Sequence, residues 1–148
     1  MIRIIGLGSP FGDDRAGWLV VEALKPHIGP DIDAVALDRP GSALINWFSD
    51  VDRLILVDAV AGENTPGDIV EINDIAMLHQ QDNVSSHQLD LAATLELART
   101  LGQLPKHLSL YGIGVGEPDT SVIGEAVSAG ARRLAEHLIR EIQTERPG

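Results

Sequence analysis

Three side chains have types and settings that could do chemistry together: Asp14, Asp58 and His87. Asp14 closes the loop Gly6-Leu7-Gly8-Ser9-Pro10-Phe11-Gly12-Asp13-Asp14, Asp58 closes the apolar run Leu54-Ile55-Leu56-Val57, and His87 follows Ser85-Ser86 behind a polar stretch. Two carboxylates and one imidazole make a mixed oxygen and nitrogen donor set with open positions, which suits a borderline divalent metal. A helix N-terminus disfavours imidazolium, so a His87 at such a point stays neutral and able to bind. Each residue alone has a plainer reading. Asp14 can be a helix cap, Asp58 a turn residue, and His87 a surface residue of a first helical turn. Their combination is what points to a site.

The other histidines fit such a site less well. His27 falls at a helix end, where a cation suits the dipole, His107 precedes a strand and His137 lies within the last helix. His79, in the polar stretch before His87, could be an accessory ligand and is expected not to be one. There is no His-Glu-x-x-His pair and no Gly-x-Ser-x-Gly elbow. Asp119-Thr120-Ser121 lacks the glycine of an aspartic-protease triplet and reads as a cap of the last helix. The chain has no cysteine, hence no thiol nucleophile, disulfide or cysteine-ligated metal. Any hydrolysis must therefore use water, activated by carboxylates or by a metal.

Positioning these residues requires a sheet. Residues 2–7, 33–38, 53–59 and 108–114 are short apolar runs that read as strands, and 68–72 alternates in a way that suits an edge strand able to run antiparallel. Residues 14–27 have helical spacing at Trp18, Val21 and Leu24, with Leu19 alongside, and Asp13 or Asp14 available as cap. A short helix is expected over 42–49, carrying Leu44, Ile45, Trp47 and Phe48. Another is expected over 87–102, with Leu89, Ala92, Leu95 and Leu97 near one another, and a long one over 120–143. Gly62 to Gly67 contains the turn signal Pro66-Gly67, and 79–86 reads as a loop. Alternating strands and helices imply an α/β fold: a three-layer α/β/α sandwich on a mostly parallel sheet of about five strands. No repeat or linker interrupts it, so residues 1–148 are read as a single domain. In a parallel sheet the C-terminal strand ends face the ligand crevice, which brings Asp14, Asp58 and His87 to one rim.

A glycine pair between a first strand and a first helix is also the start of a dinucleotide fingerprint, and Asp38 imitates its ribose-binding acid. However, Phe11 stands where the third glycine belongs, and Asp13 and Asp14 would repel a pyrophosphate. A nucleotide-dependent oxidoreductase is thus the weakest of the readings kept. A formal net charge of −11 disfavours nucleic acid and anionic membranes as partners. No apolar run is long enough to span a bilayer, and the N-terminal stretch is too short and glycine-broken for a signal peptide, so the expected location is cytoplasmic. The acidic surface is compatible with a monomer that meets its partner transiently.

In order along the chain, Gly6-Leu7-Gly8, Gly12-Asp13-Asp14-Arg15-Ala16-Gly17, Leu56-Val57-Asp58-Ala59-Val60, Ser85-Ser86-His87 and Tyr111-Gly112-Ile113-Gly114 resemble the hydrogenase maturation proteases. That resemblance implies an endopeptidase that removes a C-terminal extension from the nickel-loaded precursor of a nickel–iron hydrogenase large subunit. It implies that Asp14, Asp58 and His87 contact nickel supplied by the substrate, with no organic cofactor. The sequence departs from the family pattern at three points. Ser9 replaces a common asparagine, the loop to Asp14 is one residue shorter and contains Pro10, and Asp38-Arg39-Pro40-Gly41-Ser42 stands where the family has Asp-Gly-Gly-Thr. Ser9, Asp38, Arg39 and Gly41 are therefore expected to bear on substrate choice. These departures keep a second function in view: a non-catalytic metal-checkpoint or chaperone-like binder of the large subunit.

Overall fold

The computed structural model describes residues 1–60, 65–72, 86–115 and 123–145, excluding the side chains at 86–90 and 145. Its strands are β1 (Ile2–Gly8), β2 (Ile32–Asp38), β3 (Arg53–Val60), β4 (Ile69–Ile72) and β5 (His107–Gly114). They form one sheet in the order β2-β1-β3-β5-β4. The first four neighbours run parallel, and β4 pairs antiparallel with β5 at the edge. The alternation at 68–72 is that of an edge strand with one covered face. Ile72 is buried there while Ile69 and Glu71 are exposed.

Period-two alternation sends successive side chains to opposite faces, and both faces are apolar because both are covered. Ile4, Ile55, Val57, Tyr111 and Ile113 pack with α1 (Ala16–Leu24) and α3 (Glu125–Glu145). Ile5, Leu7, Leu54, Leu56 and Leu110 pack with α2 (Ser86–Thr100) and a 3-10 helix at Gly41–Trp47. This is the expected three-layer sandwich. Each buried aliphatic side chain contributes about 1.5–3 kcal/mol on leaving water, so the two cores fix which face each strand residue takes.

Three local expectations change. The helix expected over 14–27 is α1 preceded by a 3-10 turn at Gly12–Arg15 and followed by another at Lys25–His27. Its buried face is Ala16, Gly17, Val20, Val21 and Leu24, whereas Trp18 is half-buried and donates its indole N–H to the Leu37 carbonyl at 3.1 Å. In α2 the buried stripe is Leu91, Ala92, Leu95 and Ala98, and Leu97 points to solvent. Leu97 is two residues from Leu95, about 200° around a helix, so it cannot share that face. The segments 61–64 and 73–85, which hold much of the expected turn and the polar loop, lie outside the described residues, as does Asp119-Thr120-Ser121.

α1 lies unusually close to β1. A Cβ on Gly6 would sit 2.3 Å from the Gly17 carbonyl oxygen, and one on Gly17 would sit 2.6 Å from that of Leu7. The two glycines let helix and strand backbones touch, which sets where the loop between them must turn. Turning itself falls to Gly12, whose φ is 55°.

Candidate functional site

The strand order reverses direction at β1: the chain goes from β1 outward to β2, then returns to β3 on β1's other side. A crevice opens at such a switch point, beyond the carboxyl ends of the strands. The loop after β1 and the end of β3 are its two walls. Register puts Gly6 beside Val57, so Asp58 lies one residue beyond the last β1–β3 pair, level with the top of β1. Asp58 shares parity with Leu54 and Leu56, which face the α2 layer, so its side chain leaves the sheet toward α2.

The Asp14 loop is knotted by its own hydrogen bonds. The Ser9 hydroxyl donates to Asp14 Oδ2 at 3.2 Å and accepts from the Phe11 N–H at 3.4 Å. The Ser9 N–H donates to the Asp14 carbonyl at 3.3 Å, and the Asp14 N–H donates to the Phe11 carbonyl at 3.1 Å. Ser9 is fully buried beneath an exposed Asp14. Asp13 turns away and accepts the Gly124 N–H at 2.8 Å, tying the loop to the residue before α3. Neither aspartate caps α1: its N-cap residue is Arg15, with no side-chain capping bond. The 3-10 turn, which places both carboxylates one turn ahead of the helix, is the reason.

Asp58 is half-buried, and its Oδ1 accepts the N–H of Ala59 at 2.8 Å. Burial pushes its pKa from 3.8 up to about 7; the Ala59 N–H opposes this, and the negative charge of Asp14 adds to it. Removing a carboxylate from water without a counter-charge disfavours its ionised form. The two carboxylates therefore repel across a crevice that a bound cation would neutralise.

The third expected ligand is only partly in view. The His87 backbone lies in the first turn of α2, on the layer Asp58 faces, and its side chain is outside the described residues. His79 also lies outside them. Among the described residues, no group of three His, Asp or Glu side chains could hold a metal, so none of His27, His107 or His137 completes a set with Asp14 and Asp58. His107 begins β5 at the opposite edge of the sheet, and His137 faces Glu141 at 3.2 Å on α3.

Asp38 ends β2 beside Gly8, and the Arg39 N–H donates to the Gly8 carbonyl at 3.1 Å, so the Asp38–Ser42 segment adjoins the Asp14 loop. Asp38 and Arg39 form an exposed ion pair at 3.1 Å. Arg39 occupies positive φ at 39°, as Gly41 does at 58°. A left-handed bend that favours glycine is thus taken by arginine, which puts a guanidinium on it.

One role was not foreseen from sequence: Ser9 holds Asp14 as well as lying near it. A serine five residues before an aspartate carries no signal of that contact until the loop is closed.

A three-layer α/β frame with two carboxylates at its switch point does not by itself name a reaction; comparison with known proteins does. Residues 20–142 match the family model described as hydrogenase maturation protease, HycI. The chain is 33% identical over 117 residues to the hydrogenase 2 maturation protease of Escherichia coli strain K12, covering 76% of this chain and 71% of that one. It is 32% identical over 123 residues to the hydrogenase expression/formation protein HupD of Thiocapsa roseopersicina, covering 80% of this chain and 56% of that one. The solved hydrogenase maturating endopeptidase HybD from E. coli superposes with a TM-score of 0.82 at 28% identity, covering 97% of this chain and 92% of that one. This chain belongs to the hydrogenase maturation protease family and is an endopeptidase. Asp58 and His87 lie inside the matched span, and Asp14 precedes it. Among the described residues no helix is long and apolar enough to cross a membrane.

Proposed function

We propose that this endopeptidase removes a C-terminal extension from the nickel-loaded precursor of a nickel–iron hydrogenase large subunit, and that Asp14, Asp58 and His87 contact the precursor's nickel. The observation that carries the reading is the coupled pair Asp14 and Asp58. An exposed carboxylate held by a buried hydroxyl faces a half-buried one that burial and its neighbour keep near pKa 7. A buried carboxyl that ionises only near neutrality, with a second carboxylate close by, is stabilised in its charged form by a cation, and the cation arrives with the substrate.

Nickel then serves as the address. Once Asp14, Asp58 and His87 hold it, the scissile peptide is fixed at a set distance, and water attacks a carbonyl whose position no longer has to be found. A precursor without nickel presents nothing to anchor and is left uncut. In this reading processing is cytoplasmic and the nickel comes only with the substrate.

The test is the intact mass of the nickel-loaded precursor after mixing with this protein, beside the nickel-free precursor and the variants Asp14→Asn and His87→Gln. Loss of a C-terminal peptide only with nickel, and only with the unsubstituted enzyme, is the expected result. Unchanged rates in both variants would remove the three-residue site. A stable complex without shortening would favour the checkpoint binder.

A further inference from the structure

We propose that Pro10 and Phe11 form an apolar docking tip that receives a hydrophobic side chain of the polypeptide being cut. The chain has five aromatic residues, and four of them are covered: Phe48 and Tyr111 are buried, Trp18 and Trp47 half-buried. Phe11 alone is exposed, at 66%, and Pro10 beside it is exposed too. A solitary exposed apolar residue is ordinary on a protein surface. This one is set apart by how it is held and where.

Its backbone is fastened on both sides to the site. The Phe11 N–H is given to the Ser9 hydroxyl at 3.4 Å, and its carbonyl takes the Asp14 N–H at 3.1 Å. The same hydroxyl positions the Asp14 carboxylate. Proline at position 10 fixes its own φ and supplies no N–H to compete for these acceptors. The backbone that carries the exposed ring is therefore held on the loop that bears Asp14, and the two are coupled through Ser9. A rigid aromatic loses little entropy when it is covered, which makes it an efficient anchor.

The occupant follows from continuity with the site. Phe11 and Asp14 are three positions apart on one hydrogen-bonded loop, so a polypeptide seated at Asp14 lies within reach of the tip. The neighbouring polar groups include the acidic Asp13, Asp14, Asp38 and Asp58 and the cations Arg15 and Arg39. The tip is the apolar part of that rim. An aliphatic or aromatic side chain beside the scissile bond fits the ring, while the carboxylates take the metal. This rests on the endopeptidase reading above, and it adds a residue class that the substrate must carry.

The experiment compares the unsubstituted enzyme with Phe11→Ala and Phe11→Leu, and with Leu101→Ala as an exposed apolar control remote from the site. Cleavage kinetics and a separate binding measurement use the nickel-loaded large-subunit precursor, and melting is followed in parallel. Phe11→Ala should raise KM and Kd about tenfold or more with kcat and melting temperature held, in line with losing one buried side chain. Phe11→Leu should recover most of the loss, and Leu101→Ala should behave like the parent. An unchanged KM and Kd in Phe11→Ala, or a fall confined to kcat, overturns the docking role, the latter by showing that the ring acts only through Asp14. Dimerisation of the parent that Phe11→Ala abolishes, with KM unchanged, would assign the tip to self-association and overturn it too. If the parent binds the precursor but does not cut it, the proposed processing of that precursor fails while the Kd comparison still decides the tip. If the parent neither binds nor cuts, both fall.

Discussion

A Cβ placed on Gly8 would stand 2.1 Å from the carbonyl oxygen of Asp14, so the end of β1 and the Asp14 loop are in backbone contact. The contact is to a carbonyl, which cannot rotate aside as a side-chain tip can. Gly8→Ala is expected to push the Asp14 turn off the strand and break the Ser9 bonds that hold it. The cost in stability should be about 1–3 kcal/mol, as for other overpacked sites. The loss of cleavage should exceed it, because a shift of about an ångström in a positioned ligand costs on the order of a hundredfold in rate. Denaturant unfolding and precursor cleavage on the same variant separate the two. A variant that loses stability but cuts normally would show that Asp14 does not need this seat.

Asp58 gives a pH signature. Its folded pKa, about 7, is above its ordinary 3.8, so the folded state binds more protons than the unfolded state between those values. Its contribution to stability is greatest below about pH 4 and is lost as pH rises through 7. Asp58→Asn keeps the neutral form at every pH. The melting temperature of that variant, measured without metal, should match the parent near pH 4 and exceed it by a growing margin toward pH 8. Nickel binding to the parent should strengthen over the same rise, since the ligand must lose its proton. A constant gap across the range would mean that Asp58 ionises freely in the fold.

The layers were legible in the sequence because they depend on short-range pattern. Ile4 and Ile5 or Leu54 and Ile55 show directly that both faces of a strand are apolar, and only a sheet covered on both sides satisfies that. Asp58 was legible as a candidate site residue for the same reason: it is the polar end of a buried strand. Asp14 was legible as a ligand candidate, yet its seat was not, because the 3-10 turn at Gly12–Arg15 and the bond from Ser9 arise from loop closure. Leu97 misled because a leucine near a helical stripe reads as core until the helix phase is fixed. The left-handed backbone of Arg39 had no local signal at all, since arginine seldom adopts it.

Arg39 holds a left-handed turn that glycine takes more readily. Arg39→Gly removes the left-handed penalty of about 1–2 kcal/mol, offset by the greater freedom of glycine in the unfolded chain. It also removes an exposed ion pair with Asp38 of little weight. Stability should therefore change by no more than about 1 kcal/mol. Substrate preference should change more. With two nickel-loaded precursors whose cleavage regions differ in charge, the ratio of their kcat/KM values should move several-fold between parent and variant. An unmoved ratio would take Arg39 out of substrate selection and leave it as a surface residue on a tight turn.

Glu141 provides the converse case, a polar cluster whose loss should spare the chemistry. On α3, its carboxylate takes the Arg53 guanidinium, the Tyr111 hydroxyl at 3.2 Å and His137 Nε2 at 3.2 Å. Burial, with Glu141 beside it, pushes the Tyr111 pKa up to about 12, so the phenol remains a donor throughout the working range. Glu141→Ala leaves a largely covered guanidinium without that carboxylate and should cost about 2–3 kcal/mol, somewhat below a fully buried pair. Glu141→Gln, which still accepts from Tyr111 but carries no charge, should cost less. Arg53 begins β3 and Asp58 stands near its other end, with the strand's buried core between them. A rigid strand transmits little of a loss at its far end, so precursor cleavage below the melting range should be unchanged in both variants. A drop in cleavage matching the drop in stability would instead mean that α3 and the crevice open together, and that the bond the Gly124 N–H donates to Asp13 couples them.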